Sequence, residues 1–453
     1  MTAQRKLFGT DGIRGVAGEY PLDARTTWTI GRALGRYIQR AHMNARVVIG
    51  EDTRESSDGI AASVAAGLSS AGVQVERAGV ITTPGAAFLA RTGNFSAGVV
   101  ISASHNPWTD NGIKIFGHDG YKFPDSAELE IEREIFDLVE AGAAPPSGEG
   151  HSISPSARLH DAYTRWLAAH WTARNGKNLK LIADCANGAA SAIAPEVFTA
   201  CGLHCEFTHA KPNGKNINEN CGALHPEVVG REVTSRGAQI GVTFDGDADR
   251  CLFADAQGKV VNGDGVLLLV ARHMKARREL RGDLIVATTM SNMGLEAALR
   301  RSGIRMLRAA VGDKYVLEEM RKTGAVLGGE QSGHIIFLDG ESTTGDGLLT
   351  ALRVLQIVAE SGQPLAELIS DLKVFPQVIT NIRVREKKPL EQIAAVAEAI
   401  RAAEQQLDGN GRVVVRYSGT EPVARVMVEA EEQAAVTRFA DSISAAIKKS
   451  IGA

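Results

Sequence analysis

The sequence has little of what marks most specialised proteins. Its 453 residues include only five cysteines: Cys185, Cys201, Cys205, Cys221 and Cys251. That odd, irregular set argues against a disulfide framework and reads as reduced thiols in a cytoplasmic protein. Charge is nearly balanced, with a formal net of −3, so neither nucleic acid nor a membrane surface is an expected partner. No apolar run approaches the roughly 20 residues needed to cross a bilayer. The opening Met1-Thr-Ala-Gln-Arg-Lys-Leu7 has no apolar centre and is not read as a signal peptide. Cys201, His204, Cys205 and His209 lie close together but fit no usual zinc spacing, so Cys201 and Cys205 are expected as core thiols. The basic stretch 272–281 is expected to carry the apolar helix 265–271 onto a solvated face.

What is present is an ordinary globular composition, 44% apolar and 23% charged. Length alone suggests about three domains of ~150 residues. The pattern suggests four. Four times an apolar run ends abruptly in a polar loop: Ala97-Gly-Val-Val-Ile-Ser-Ala-Ser-His-Asn-Pro107, Gln239–Phe244 with the acids that follow it, Ala325–His334, and Arg412–Pro422. Helical stretches and short apolar strands alternate between them, which argues for α/β layers. The expectation is three similar α/β/α domains with mixed sheets, at 1–155, 156–255 and 256–372, plus a smaller C-terminal α+β domain at 373–453. Each domain would present one loop to a central cleft. Pro/Gly/Ser-rich 141–150 reads as a linker, and Asp255-Ala-Gln-Gly258 as a boundary. In the last domain the order is strand 377–385, helix 389–406, strand 412–417, strand 423–429 and helix 432–449.

The most informative loop is Asp245-Gly-Asp-Ala-Asp-Arg250. Three carboxylates at alternate positions repel one another unless a cation neutralises them, and oxygen-only ligands suit Mg²⁺. An EF-hand loop needs Gly at its sixth position and Glu at its twelfth; here stand Arg250 and Ala256. Ser104 follows a buried strand in a tight loop and becomes a nucleophile only with a base or a metal; otherwise it is a turn serine. A Ser-His-Asp hydrolase is disfavoured. His105 adjoins Ser104, so on an extended backbone the side chains diverge, and Gly-x-Ser-x-Gly is absent. Lys114, between Ile113 and Ile115, is either an edge-strand gatekeeper or a cation aimed into the cleft.

Glu330, Ser332 and His334 alternate, so an extended chain would put them on one face, suited to sugar hydroxyls and proton transfer. A glycine-rich turn is the plainer alternative. Arg416, Ser418, Gly419, Thr420 and Arg425 offer guanidinium forks, hydroxyls and bare amides for a phosphate dianion. There is no Walker Gly-Lys-Ser/Thr, and a β-turn flanked by surface arginines remains possible. The loops Gly50–Arg54 and Ile81–Pro84 read as architectural. Together the pieces describe phosphoryl transfer on a sugar phosphate: an oxygen carrier, a cation site, and a second phosphate grip.

Four signatures in order, Ser-Ala-Ser-His-Asn-Pro, Asp-Gly-Asp-Ala-Asp-Arg, Gly-Glu-Gln-Ser-Gly-His and Arg-Tyr-Ser-Gly-Thr-Glu-Pro, resemble the α-D-phosphohexomutase superfamily along nearly the whole chain. The opening Phe8-Gly-Thr-Asp-Gly-Ile-Arg-Gly15 and Gln331 are similar to its bacterial phosphoglucosamine mutase branch. The resemblance implies a phosphoserine at Ser104, and one Mg²⁺ held by that group with Asp245, Asp247 and Asp249. It makes Lys114 and His334 proton-transfer candidates, and puts Arg14, Arg250 and His105 beside the reacting group. Glu330 and Ser332 would contact the sugar, and the fourth loop the distal phosphate. It further implies interconversion of glucosamine 6- and 1-phosphates towards UDP-N-acetylglucosamine and cell-wall precursors. A glucosamine or glucose 1,6-bisphosphate would activate a monomer or homodimer. A mannose or glucose phosphomutase, or a metal-dependent phosphatase, would share most of these residues. Pro107-Trp-Thr-Asp110 departs from the pattern and is expected to alter local packing.

Overall fold

A computed structural model describes residues 6–9, 11–41, 45–145, 153–173, 176–340, 342–418 and 422–453. The chain forms two compact units, residues up to 290 with 306–369, and 291–305 with 370–453.

The first unit contains three sheets built to one plan. In the first, β1 (Ile13–Val16), β2 (Arg46–Glu51), β3 (Gln74–Val80), β4 (Ala97–Ile101) and β5 (Asp110–Gly117) are ordered β1-β5-β4-β2-β3. Strand β2 runs parallel to β3 and β4, and β5 then returns antiparallel to β4. The second has β6 (Lys180–Asp184), β7 (His204–Thr208), β8 (Ile240–Phe244), β9 (Cys251–Ala254) and β10 (Val260–Val261) in order β10-β9-β8-β6-β7. Again the central strands are parallel and β9 returns antiparallel to β8. The third has β11 (Leu284–Thr288), β12 (Arg305–Ala309), β13 (Leu327–Gly329) and β14 (Ile335–Phe337) in order β12-β11-β13-β14, with β14 antiparallel to β13. Every residue of β4, β8 and β11 is buried, as their largely apolar runs require of strands covered on both faces.

Helices cover the sheets. Helix 24–40 starts at Asp23, whose carboxylate accepts from Thr26 N–H. It lies against helix 57–70 with backbones in near contact. A Cβ on Gly31 would sit 2.1 Å from the Val64 carbonyl oxygen, and one on Gly67 2.0 Å from that of Trp28. Only glycine permits this approach.

The second unit has β15 (Gln377–Arg383), β16 (Gly411–Tyr417) and β17 (Val423–Ala430) as an antiparallel sheet ordered β15-β17-β16. Helices 394–407 and 433–451 pack on it through Val396, Ala403, Val436, Ala440, Ile443 and Ile447. Helix 293–301 belongs to this unit. Asn292 accepts Phe375 N–H at 2.8 Å and donates to the Phe375 carbonyl at 3.0 Å, while buried Glu429 accepts Met293 N–H.

Several expectations change. The helix expected at 389–406 begins at 394, because Pro389 opens a separate short turn at 390–392 and Ile393 is extended. Asp255–Gly258, read as a boundary, forms the bend of a hairpin, with β10 paired to β9 at the end of the second sheet. The expected linker 141–150 is described only to 145, after a helix that ends at Glu140. Cys201 and Cys205 are half-buried rather than core, and His209 groups with Asp184 and Cys221 instead. The basic helix ends at Ala276. No helix among the described residues is long and apolar enough to cross a membrane.

Candidate active site

The shared plan explains the four loops. Each is the bend by which a strand turns into its antiparallel neighbour: β4 to β5, β8 to β9, β13 to β14 and β16 to β17. Three of these bends lie in the first unit and meet there. The Ser104 Oγ donates to Asp245 Oδ2 at 2.6 Å, across 141 residues of chain. Ser104 has φ +52°, the left-handed region. The backbone there is therefore not extended, and the expectation that Ser104 and His105 diverge fails: Oγ lies 3.2 Å from His105 Nδ1. The Asp245–Arg250 bend is equally tight. Asp245 accepts from Ala248 N–H and Arg250 N–H, and Ala248 has φ +54°.

Lys114 settles between its two readings. β5 lies between β1 and β4, so the lysine is on no edge. Its Nζ is 2.8 Å from Asp247 Oδ2, 3.1 Å from Asp11 Oδ2 and 4.0 Å from Asp249 Oδ2. Burial works against its charge, but Asp11, Asp247 and Asp249 outweigh that cost and hold it firmly protonated. Asp11 also pairs with Arg14 and with Lys122, and Lys122 reaches Asp313 at 2.6 Å.

His334 stands 3.6 Å from Asp249 and 3.9 Å from Asp313. Burial disfavours its charge, yet Asp249, Asp313 and Glu330 carry its pKa up to about 9. Gly345 N–H points at Nε2 from 3.2 Å, a contact that suits the neutral ring. The two influences oppose each other across one imidazole. His105 shifts the other way, lowered by burial and then by Arg250 and Arg14.

A cavity of about 440 Å³ opens beside these groups, lined by Asp11, Arg14, His105, Lys122, Asp249, Arg250, Asp313, Glu330 and His334 among others. Its size suits one sugar phosphate. Glu330 is fixed by accepting Gly312 N–H at 3.0 Å. Ser332 does not join Glu330 and His334 at the cavity wall. Those residues form a turn with Gly333 at φ +94°, not an extended run, so alternation does not place them on one face.

The aspartate trio fits a hard divalent cation. Asp245, Asp247 and Asp249 each offer an oxygen, all within 4.8 Å of one another. All three are buried, and Asp247 Oδ1 and Asp249 Oδ1 have no hydrogen-bond partner. Burial, with Asp249 and Asp247 beside it, raises the Asp245 pKa well above the usual carboxylate range. Orphaned lone pairs and mutual repulsion are what a shared cation relieves. Ser104 Oγ, bonded to Asp245, would be a further oxygen ligand for such an ion.

In the second unit, β16 and β17 set Arg416 directly opposite Arg425. Like charges opposed on one sheet face repel, so an anion there recovers energy. Ser418 is buried, and its carbonyl accepts from Lys387 Nζ at 2.7 Å. Gly419 and Thr420 lie outside the described residues.

Models of the four phosphoglucomutase/phosphomannomutase domains match in order: α/β/α domain I over residues 5–141, II over 161–258, III over 262–375 and the C-terminal domain over 379–446. The chain belongs to the phosphoglucomutase/phosphomannomutase family. A phosphoglucosamine mutase of Koribacter versatilis is 61% identical over 452 residues, covering 99% of this chain and 98% of its own. One from Solibacter usitatus is 52% identical, with 99% of each chain covered. Among solved structures, a phosphoglucomutase/phosphomannomutase family protein from Burkholderia thailandensis superposes with TM-score 0.79 at 28% identity, over 98% of this chain and 97% of that one.

Sequence reasoning missed several groups that this phosphoglucomutase/phosphomannomutase family member brings to the site. Thr83, in a loop read as architectural, donates to Asp247 Oδ2 at 2.5 Å, and its N–H reaches the Asp247 carbonyl. Arg54 stands in the other loop read as architectural, and Lys122 and Asp313 were unmarked. Their only signal was charge in a loop after a strand. Trp108, in the departing segment, is exposed and carries Lys215 of the second domain over its ring at 5.3 Å.

Proposed function

We propose that this chain is a phosphoglucosamine mutase, interconverting glucosamine 6-phosphate and glucosamine 1-phosphate through phosphorylated Ser104. The observation that carries the reading is the Ser104 Oγ held 2.6 Å from a buried aspartate trio, beside a sugar-sized cavity. The full-length relatives support the sugar.

In the first half-reaction the free hydroxyl of the sugar attacks the phosphorus on Ser104. The P–Oγ bond breaks and a P–O bond to the sugar forms, leaving a 1,6-bisphosphate. The bisphosphate turns over in the cavity. Ser104 Oγ then attacks the other phosphoryl group, whose bond to the sugar breaks. Each half-reaction moves one proton, off the attacking hydroxyl and later back onto the released one. His334 exchanges that proton, while Lys114, clasped by Asp11 and Asp247, stays cationic and steadies the moving charge. His105 lies against Oγ and orients it. Arg14 and Arg250 flank the transferring group from the cavity wall. A Mg²⁺ held by Asp245, Asp247, Asp249 and the serine phosphate would neutralise charge on the phosphoryl group in flight. Glu330 holds sugar hydroxyls, and Arg416, Ser418, Gly419, Thr420 and Arg425 hold the non-reacting phosphate. Domain limits are proposed at 1–155, 156–255, 256–372 and 373–453, with helix 293–301 of the third segment lying in the second compact unit. A monomer or homodimer in the cytoplasm suits five free thiols and a charged, diffusible substrate.

The test is incubation with glucosamine 6-phosphate, Mg²⁺ and a trace of glucose 1,6-bisphosphate, with phosphorus NMR reading the products. Glucosamine 1-phosphate is expected, formed faster than the products of parallel runs with glucose and mannose phosphates. Steady release of inorganic phosphate would identify a phosphatase instead.

A further inference from the structure

Ser104 is a non-glycine residue in a left-handed conformation, which persists only where the surroundings over-determine it. The surroundings here are specific. Arg54 is buried to 3% exposure beneath the serine loop. Its Nη2 donates to the carbonyls of Ser104 and Asn106, each at 2.9 Å. Its Nη1 donates to the carbonyls of Pro107 and Asp110. Its Nε donates to Asp52 Oδ2 at 2.8 Å, so all five N–H donors of the fork are spent on this loop and its support. Asp52 in turn accepts from Ser102 Oγ at 2.6 Å, and Ser102 Oγ accepts the Ser104 N–H at 2.9 Å.

The second domain grips the same peptide. Asn218 Nδ2 donates to the Ser104 carbonyl at 2.9 Å and to the Asn106 carbonyl at 3.2 Å. A Cβ on Gly246, within the aspartate loop, would lie 2.5 Å from that Ser104 carbonyl oxygen. The one carbonyl therefore accepts from a guanidinium and a carboxamide, and the space beside it at Gly246 admits no side chain. None of these touches the reacting oxygen.

We propose that Arg54 and Asn218 are positioning residues for phosphoryl transfer: a two-domain clamp on the Ser104–Asp110 carbonyls that aims Oγ at the aspartate trio. The proposal rests on Ser104 as phosphoryl carrier. The clamp acts on the backbone, because the Oγ direction follows from the φ it enforces. Lysine can replace the charge of Arg54 but not the planar fork that serves four carbonyls at once. Asn218 supplies the half that registers the serine loop against the aspartate loop.

The test uses full-length R54K and N218A, loaded from glucose 1,6-bisphosphate with Mg²⁺. Phosphate on Ser104 is followed by mass spectrometry, and turnover is expressed per phosphorylated site. Misplacement of a reacting group by about 1 Å costs on the order of 100-fold. R54K should lose turnover and loading rate on that scale, and N218A about 10-fold by the same reasoning, with KM for glucosamine 6-phosphate within about twofold. A merely structural role predicts lower thermal midpoints but wild-type turnover per phosphorylated site. Wild-type loading and turnover in N218A, with R54K either matching it or failing to fold, overturns the clamp. Wild-type enzyme that takes no phosphate on Ser104 removes the carrier reading itself, a separate result.

Discussion

The Ser104–aspartate junction and the Arg416–Arg425 hairpin are both read as phosphate sites, yet they are built in opposite ways. At the junction every group is buried and held: Ser104, Lys114, Asp245, Asp247 and Asp249 sit among hydrogen bonds between the first two domains and an ion pair from His334. On the hairpin Arg416 is exposed and faces Arg425 across two strands, with charge rather than enclosure as its resource. The difference follows from the work. A phosphoryl group in flight needs donors fixed before it arrives, whereas a spectator phosphate that must exchange with its twin needs only attraction.

Four experiments test that contrast. The largest effect is expected for Ser104→Ala, which should lower kcat at least about 10⁴-fold with unchanged circular dichroism. Turnover near wild type would dissolve the junction as the chemical centre. Next, Asp247→Asn should lower kcat/KM about 10²–10³-fold and move the Mg²⁺ activation midpoint to higher concentration. Full activity after exhaustive chelation, with metal absent by elemental analysis, would leave the trio without its assigned role. Third, Arg416→Ala and Arg425→Ala should each raise KM roughly 10-fold while kcat changes little, and raised salt should mimic them at this exposed grip. A kcat defect with normal KM would mean the hairpin shares the junction's design.

The smallest effect concerns stability. Asp346 accepts from Tyr163 OH at 2.8 Å and caps helix 347–361 through Leu349 N–H. Burial pushes its pKa up to about 6 from an ordinary 3.8, so the folded state holds the proton more tightly than the unfolded one. Its contribution to stability therefore falls as pH rises from about 4 to about 6 and is level above that. Asp346→Asn should remove this slope, read as urea midpoints across the window for both proteins. Equal slopes would show that burial around the junction carries no such cost.

The loops were readable because each announces itself locally: an apolar strand stops, and reactive side chains follow at once. Strand and helix order in the last domain was readable for the same reason. What escaped depends on who meets whom in space. Nothing near Arg54, Thr83 or Asn218 in sequence points to residues 50, 164 and 114 positions away, and only the sheet order joins them. The Ser104–His105 contact was misjudged because a left-handed serine carries no sequence mark, unlike a glycine. Asp255–Gly258 looks the same whether it ends a domain or bends a hairpin. The allegiance of helix 293–301 rests on Asn292 and Glu429, a tertiary matter altogether.

Because each of the four loops occupies the equivalent strand-to-strand bend, its side chains stand apart from the strands and helices that fold the chain. A bend can lengthen, shorten or change composition while the flanking ladder keeps its register. A graft of the β13–β14 bend, cut at Gly329 and Ile335, would replace Glu330 and His334 together, the proposed sugar grip and proton carrier in one exchange.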